Sequence, residues 1–167
     1  MAVFTRRVAV ARHRADMARL LRAAKRSPPK RRDAPVYRVW TAKDLLGHIA
    51  AWDELLLPAI DELVAGRRPR FGRTSVFNKR AVDASRALGY DEVLRDVRAA
   101  HSALMKRIES LSDEAWADGS RHRYRWGNRT PMTIASLFAY SYKEETHYGG
   151  HAKEIEDWLA RRRAEGD

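Results

Sequence analysis

Apolar positions along the chain repeat with a helical period in four stretches. The clearest opens at Thr41, a good N-cap with Asp44 at the N3 position of a capping box. Leu45, Ile49, Trp52, Leu56, Ile60 and Leu63 then follow at helical spacing, and Gly66 with Pro69 closes the run. A further stripe runs through Tyr90, Val93, Leu94, Val97, His101, Leu104, Ile108 and Leu111 and predicts a helix apolar on one side. The last helix is predicted from Thr130 as N-cap and Pro131 at N1, through Ile134, Leu137, Phe138, Tyr148, Ile155 and Leu159. Before Thr41, residues Val10 to Lys25 form helix-friendly sequence with a thin stripe of Met17, Leu20 and Leu21, ended by Pro28 and Pro29.

Between these stretches the period fails. Arg67 to Ala87 reads as a long connection with at most a helical turn around Asn78 to Ser85, and Ser112 to Asn128 is turn-rich. Within the latter, Arg121 to Trp126 alternates basic and aromatic side chains, which fits an irregular surface loop better than a nucleic-acid contact. The expected fold is all-α: one antiparallel four-helix bundle with a long connection between its second and third helices. A single domain is expected, with residues 1–39 forming a basic N-terminal segment that holds the first helix and residues 40–163 the core.

Charge changes the picture at one end only. The net charge is +11, yet Met1 to Val39 carries twelve Lys/Arg against two Asp/Glu, while the remainder carries 21 against 20. A polyanion-binding face across the whole domain is therefore not expected, and nucleic acid is not expected as a partner. The absence of cysteine excludes disulfides, thiolate ligands and a cysteine nucleophile, so any metal must be held by His and carboxylates. No stretch is long and apolar enough to span a membrane, and the first residues lack the apolar run of a secretory signal, so the expected location is cytoplasmic.

Of six histidines, His147 and His151 lie four apart and share one face of the last helix. His48 falls on the stripe of Leu45, Ile49 and Trp52 that must face the core. If the second and last helices pack side by side, three imidazoles converge, and three nitrogens without thiolate suit Zn, Ni, Fe or Mn with positions left open for water or substrate. The competing account makes His48 a hydrogen-bonded core histidine and the other two surface residues. Gly149 and Gly150 weigh against it, because two glycines inside a helix cost about 2 kcal/mol relative to alanine. Glu144, three residues before His147, is a candidate general base or acceptor for an imidazole N–H, or else a solvated carboxylate. His101 reads first as a core histidine and second as a pocket residue; His13 and His122 stand in basic, exposed surroundings.

The run Trp40-Thr41-Ala42-Lys43-Asp44-Leu45-Leu46-Gly47-His48-Ile49-Ala50-Ala51-Trp52 resembles the start of the second helix in the DinB-like superfamily of metal-binding four-helix bundles. Thr146 to Ile155 is similar to that family's paired-histidine segment, and Ala99 to Leu104 with Leu111 to Glu114 to the third helix of its colibactin-resistance-like branch. The resemblance implies a divalent metal on His48, His147 and His151, a frequent homodimer, and members that are thiol S-transferases, a thiol-dependent isomerase or protectors against reactive natural products. The first 39 residues depart from the family's mixed-charge first helix, and read as a divergent or misassigned start rather than a basic arm for polyanions.

Two functions from different classes fit. One is a metal-dependent hydrolase or transferase using a low-molecular-weight thiol, acting on a small reactive metabolite or xenobiotic, with Glu144 as candidate catalytic group and Trp52, His101 and Tyr148 lining the pocket. The other is a non-catalytic sequestration protein whose cavity, walled by Trp52, Tyr140 and Tyr148, captures a small compound.

Overall fold

The computed structural model describes residues 5–117, 124–125, 131–139 and 145–165, with the backbone alone at 124–125, 131–132 and 139. Its elements are α1 (Arg6–Lys25), a 3-10 turn at Pro29–Arg31, α2 (Ala42–Val64), α3 (Thr74–Arg86), α4 (Tyr90–Glu109), α5 (Asp113–Ala117), the antiparallel two-residue pair β1 (Tyr124–Arg125) and β2 (Pro131–Met132), α6 (Ile134–Ala139) and α7 (His147–Ala164). The fold is all-α apart from that short pair.

Helix α2 starts where its capping box requires. Thr41 Oγ1 accepts from Asp44 N at 3.1 Å, and Asp44 Oδ2 accepts from Thr41 N at 3.0 Å. The same fully buried carboxylate takes two bonds from Arg86 at the end of α3, at 3.0 and 2.9 Å. A buried charge needs such a partner, and here the pair pins the first turn of α2 to α3 one turn before His48. At Gly47 a Cβ would lie 2.2 Å from Ser85 Cβ, so the close approach of α2 and α3 requires glycine there.

The four long helices run as two parallel pairs in opposite directions. Asp16 meets Thr146 and Arg19 meets Glu156, so α1 and α7 advance together; Asp53 meets His101 and Asp61 meets Arg107, so α2 and α4 do the same. Across the pairs, α1 opposes α4 through Arg14–Glu109 and Tyr90–Ala24, and α2 opposes α7 through His48–His151 and Asp53–Tyr148. Helix α3 carries the chain back along α2 and makes the parallel α2–α4 step possible.

The connection expected from Arg67 to Ala87 thus contains a 13-residue helix. Its buried residues are only Ala81, Val82 and Ser85, too slight a stripe to register as a period. The single last helix expected from Thr130 is two helices. Thr133 caps α6 by accepting from Ser136 N at 2.9 Å, and Thr146 caps α7 by accepting from Gly149 N at 3.2 Å. Thr130 itself, Arg121 to Arg123 and Trp126 lie outside the described residues.

The arginine-rich start is an integral helix packed on α7 and α4. Ala9, Val10, His13, Met17, Leu20, Ala23 and Ala24 are buried along it, so alanines widen the stripe and let the backbones approach. Arg19 fixes it to α7 by paired bonds to Glu156, the shorter at 2.6 Å.

Candidate metal centre

His48 projects from the second turn of α2, and His147 and His151 from the first and second turns of α7. Their placement follows from the caps: Asp44 and Arg86 hold the start of α2, while Asp16 of α1 accepts from Thr146 Oγ1 at 2.8 Å and holds the start of α7. At Gly149 a Cβ would stand 2.9 Å from Asp16 Oδ2, so glycine admits that carboxylate. Both glycines sit in the first turn of α7 rather than inside a longer helix, where their propensity cost is lower than the sequence implies.

The three imidazoles converge. His147 Nε2 lies 3.1 Å from His48 Nε2 and 3.1 Å from His151 Nε2, with ring centroids 4.8 to 5.4 Å apart. An imidazole nitrogen carries either one proton or one lone pair in the ring plane, so His147 Nε2 cannot make two good direct hydrogen bonds at once. A cation among the three satisfies all the lone pairs, and 3.1 Å is close to the ~3.3 Å edge of a tetrahedron with ~2.05 Å metal–nitrogen bonds. The residues therefore fit a divalent metal bound by three neutral imidazoles.

Protonation works the same way. Burial pushes His48 down to about 3, with the His151 ring adding to it. Packing around His147 also disfavours its charged form, and His151 and His48 push in the same direction, although His147 keeps an exposed edge. The positive N-terminal end of α7 opposes protonation there as well. Neutral imidazoles with free lone pairs are the form a metal needs.

His151 is oriented by a residue that sequence reasoning missed. Its Nδ1 lies 2.7 Å from Glu154 Oε2, an i,i+3 contact that places the proton on Nδ1 and bares Nε2. The signal was His151-x-x-Glu154, on the C-terminal side of the ligand. Glu144, the carboxylate chosen from the sequence, lies outside the described residues, as do Tyr140 and His122. His48 Nδ1 is buried without a partner among the described residues.

Of the three residues expected to line a pocket, His101 and Tyr148 meet each other, and Trp52 lies beside His48. Trp52 flanks His48 with ring centroids 6.3 Å apart and donates from Nε1 to Asn78 Oδ1 at 3.0 Å, while Trp40 closes the other side at 5.0 Å. Tyr148 and His101 instead belong to a buried group behind the centre. Tyr148 donates from its hydroxyl to Asp53 Oδ1 at 2.7 Å, and the rings of His101 and His13 meet its own edge-on at 4.9 and 5.3 Å. His13, expected at an exposed position, is buried here because the alanines of α1 seat it against α7; its Nε2 lies 3.4 Å from Phe138 O. Burial raises Asp53 to about 8 and lowers His13 and His101 to about 4, so all are neutral near pH 7.

No helix among the described residues is long and apolar enough to cross a membrane. Comparison with curated proteins gives no match. Among solved structures the chain is similar to the colibactin self-resistance protein ClbS in complex with a double-stranded DNA. The TM-score is 0.73 at 14% identity, covering 95% of this chain and 98% of that one. A protein of this fold therefore binds DNA, which overturns the expectation, drawn from charge distribution, that nucleic acid is no partner here. The model of the DinB superfamily matches residues 9–155, spanning most of α1, all three histidines and Glu154. The chain belongs to the DinB superfamily.

Proposed function

We propose that the protein is a metal-dependent enzyme that converts a small reactive compound, by hydrolysis or by transfer of a low-molecular-weight thiol. The observation that carries this reading is the 3.1 Å approach of His147 Nε2 to both His48 Nε2 and His151 Nε2. A divalent cation such as Zn, Ni, Fe or Mn, when bound there, supplies Lewis acidity that makes water or a thiol nucleophilic near neutral pH. The protein's own part is to hold three imidazoles, to orient His151 through Glu154, and to flank His48 with Trp40 and Trp52. A thiol would come from a small molecule, since the chain has no cysteine. The test is mass-spectrometric product analysis with a panel of small electrophiles, with and without cellular thiols. Water or thiol adducts that require the metal and vanish in His151→Ala are expected; conversion unchanged after chelation ends the reading.

A second reading is a non-catalytic resistance protein that works on duplex DNA. It is favoured by the likeness to ClbS in its DNA complex, together with the twelve basic residues before Trp40. Under it, duplex affinity falls steeply with salt and survives removal of metal; affinity independent of salt contradicts it.

A further inference from the structure

On the seam opposite the histidines, α1 and α4 leave an open cavity of about 350 Å³ near the C-terminal end of α1. Lys25, Arg32, Arg95 and Arg98 line it against one carboxylate, Asp91. Arg95 also lies 3.9 Å from Glu92, too far for a strong hydrogen bond, so the surplus of positive charge persists. Like charges gathered around a concave surface repel one another, and an anion between them relieves this.

Two features make the place more than a solvated basic face. The Arg32 guanidinium lies over the Tyr90 ring, 4.2 Å from its centroid, and its Nε is buried with no hydrogen-bond partner among the described residues. Tyr90 is itself fixed, its hydroxyl donating to Ala24 O at 2.8 Å. A guanidinium seated on a fixed ring loses less freedom when it grips a ligand. The Arg32 Nε has no acceptor among the described residues, and a buried donor without one is costly.

We infer that this cavity is a phosphate-binding site, separate from the histidine centre, that takes the phosphate groups of a phosphorylated ligand. A monocarboxylate would neutralise one of four cations. A phosphate carries about two charges and acceptor oxygens on every side, which matches guanidinium and ammonium donors converging from two helices and a turn. The volume exceeds what one phosphate fills and leaves space for the group attached to it. Parallel packing of α1 and α7 also brings the three arginines in the last turn of α7 to the same end of the bundle, so a chain of phosphates meets further positive charge outside the cavity.

The test is calorimetric titration of the full chain with inorganic pyrophosphate. Lys25→Ala and Arg98→Ala, both at exposed positions, are compared with Arg80→Ala, an exposed position on α3, as control. Saturable binding with one site is expected, weakened about tenfold or more in each cavity variant and unchanged in the control. Circular dichroism and Zn binding should match wild type in all three. Competition with a short DNA duplex then assigns the source. Displacement of pyrophosphate identifies the nucleic-acid backbone, and co-binding identifies a small phosphorylated molecule. Absence of pyrophosphate binding, or equal binding by wild type and both cavity variants, overturns the proposal.

Discussion

Two groups of histidines meet α2 less than two turns apart, one at His48 and the other at Asp53, and face different problems. In the α2–α7 seam, His48, His147 and His151 direct their Nε2 atoms at one another, and His147 Nε2 cannot satisfy both neighbours by direct hydrogen bonds. Behind the centre, His13 and His101 pack edge-on against Tyr148, whose hydroxyl donates to Asp53 Oδ1; both nitrogens of His101 and Nδ1 of His13 have no hydrogen-bond partner among the described residues, but they form no three-ligand cluster there. Burial disfavours the charged form of His48 and His147 in the first group and of His13 and His101 in the second. The difference is convergence: the first group is complete only with a cation, the second folds without one.

The largest expected effect breaks the first group alone. Added Zn should raise the unfolding free energy of wild type by roughly 2.7 kcal/mol at a hundredfold excess over Kd, and leave His48→Ala unmoved. A thermal shift of equal size in the variant would show that the ion binds elsewhere. Gly47→Ala should destabilise the fold by about 1–3 kcal/mol, because a methyl cannot sit 2.2 Å from Ser85 Cβ without parting α2 from α3 beside His48. Urea denaturation measures it; an unchanged midpoint would contradict the close packing there.

Glu154→Gln sharpens the comparison, since among the described residues only the seam has an imidazole nitrogen within hydrogen-bond distance of a carboxylate. Metal affinity should fall about 10–100-fold while the metal-free stability hardly changes, as chelator competition would read. The smallest effect concerns the second group and pH. His13 and His101, held by burial near 4, stay neutral in the fold while the unfolded chain takes up protons below about 6.5; they lose stability to the protein as pH falls from 6.5 to 4. Asp53, raised by burial to about 8, keeps its proton while the unfolded chain releases it above about 4, and so lowers stability as pH rises towards 8. Metal-free wild type should therefore be most stable near pH 6.5. Asp53→Asn should remove the decline between 6.5 and 8 without altering metal binding; a decline that persists would place its cause outside Asp53.

The seam was legible in the sequence because its determinants are local. The capping box of Thr41 and Asp44, the core stripe carrying His48 and the four-residue spacing of His147 and His151 each leave a pattern in adjacent residues. What escaped was set by contacts distant in sequence or by small residues. Helix α3 is held through Arg86 on Asp44 and through Gly47 against Ser85, not by a broad apolar stripe. The start of α7 depends on Asp16, 130 residues away, so the cap at Thr146 was hidden inside an apparently continuous helix. His13 looked exposed because it stands among arginines, whereas the alanines around it bury it.

Metal content of protein purified without a polyhistidine tag tests the central claim most directly. One divalent ion per chain in wild type and none in His147→Ala is the predicted result. Wild type that emerges free of metal, and takes up neither Zn, Ni, Fe nor Mn when they are added, would contradict it.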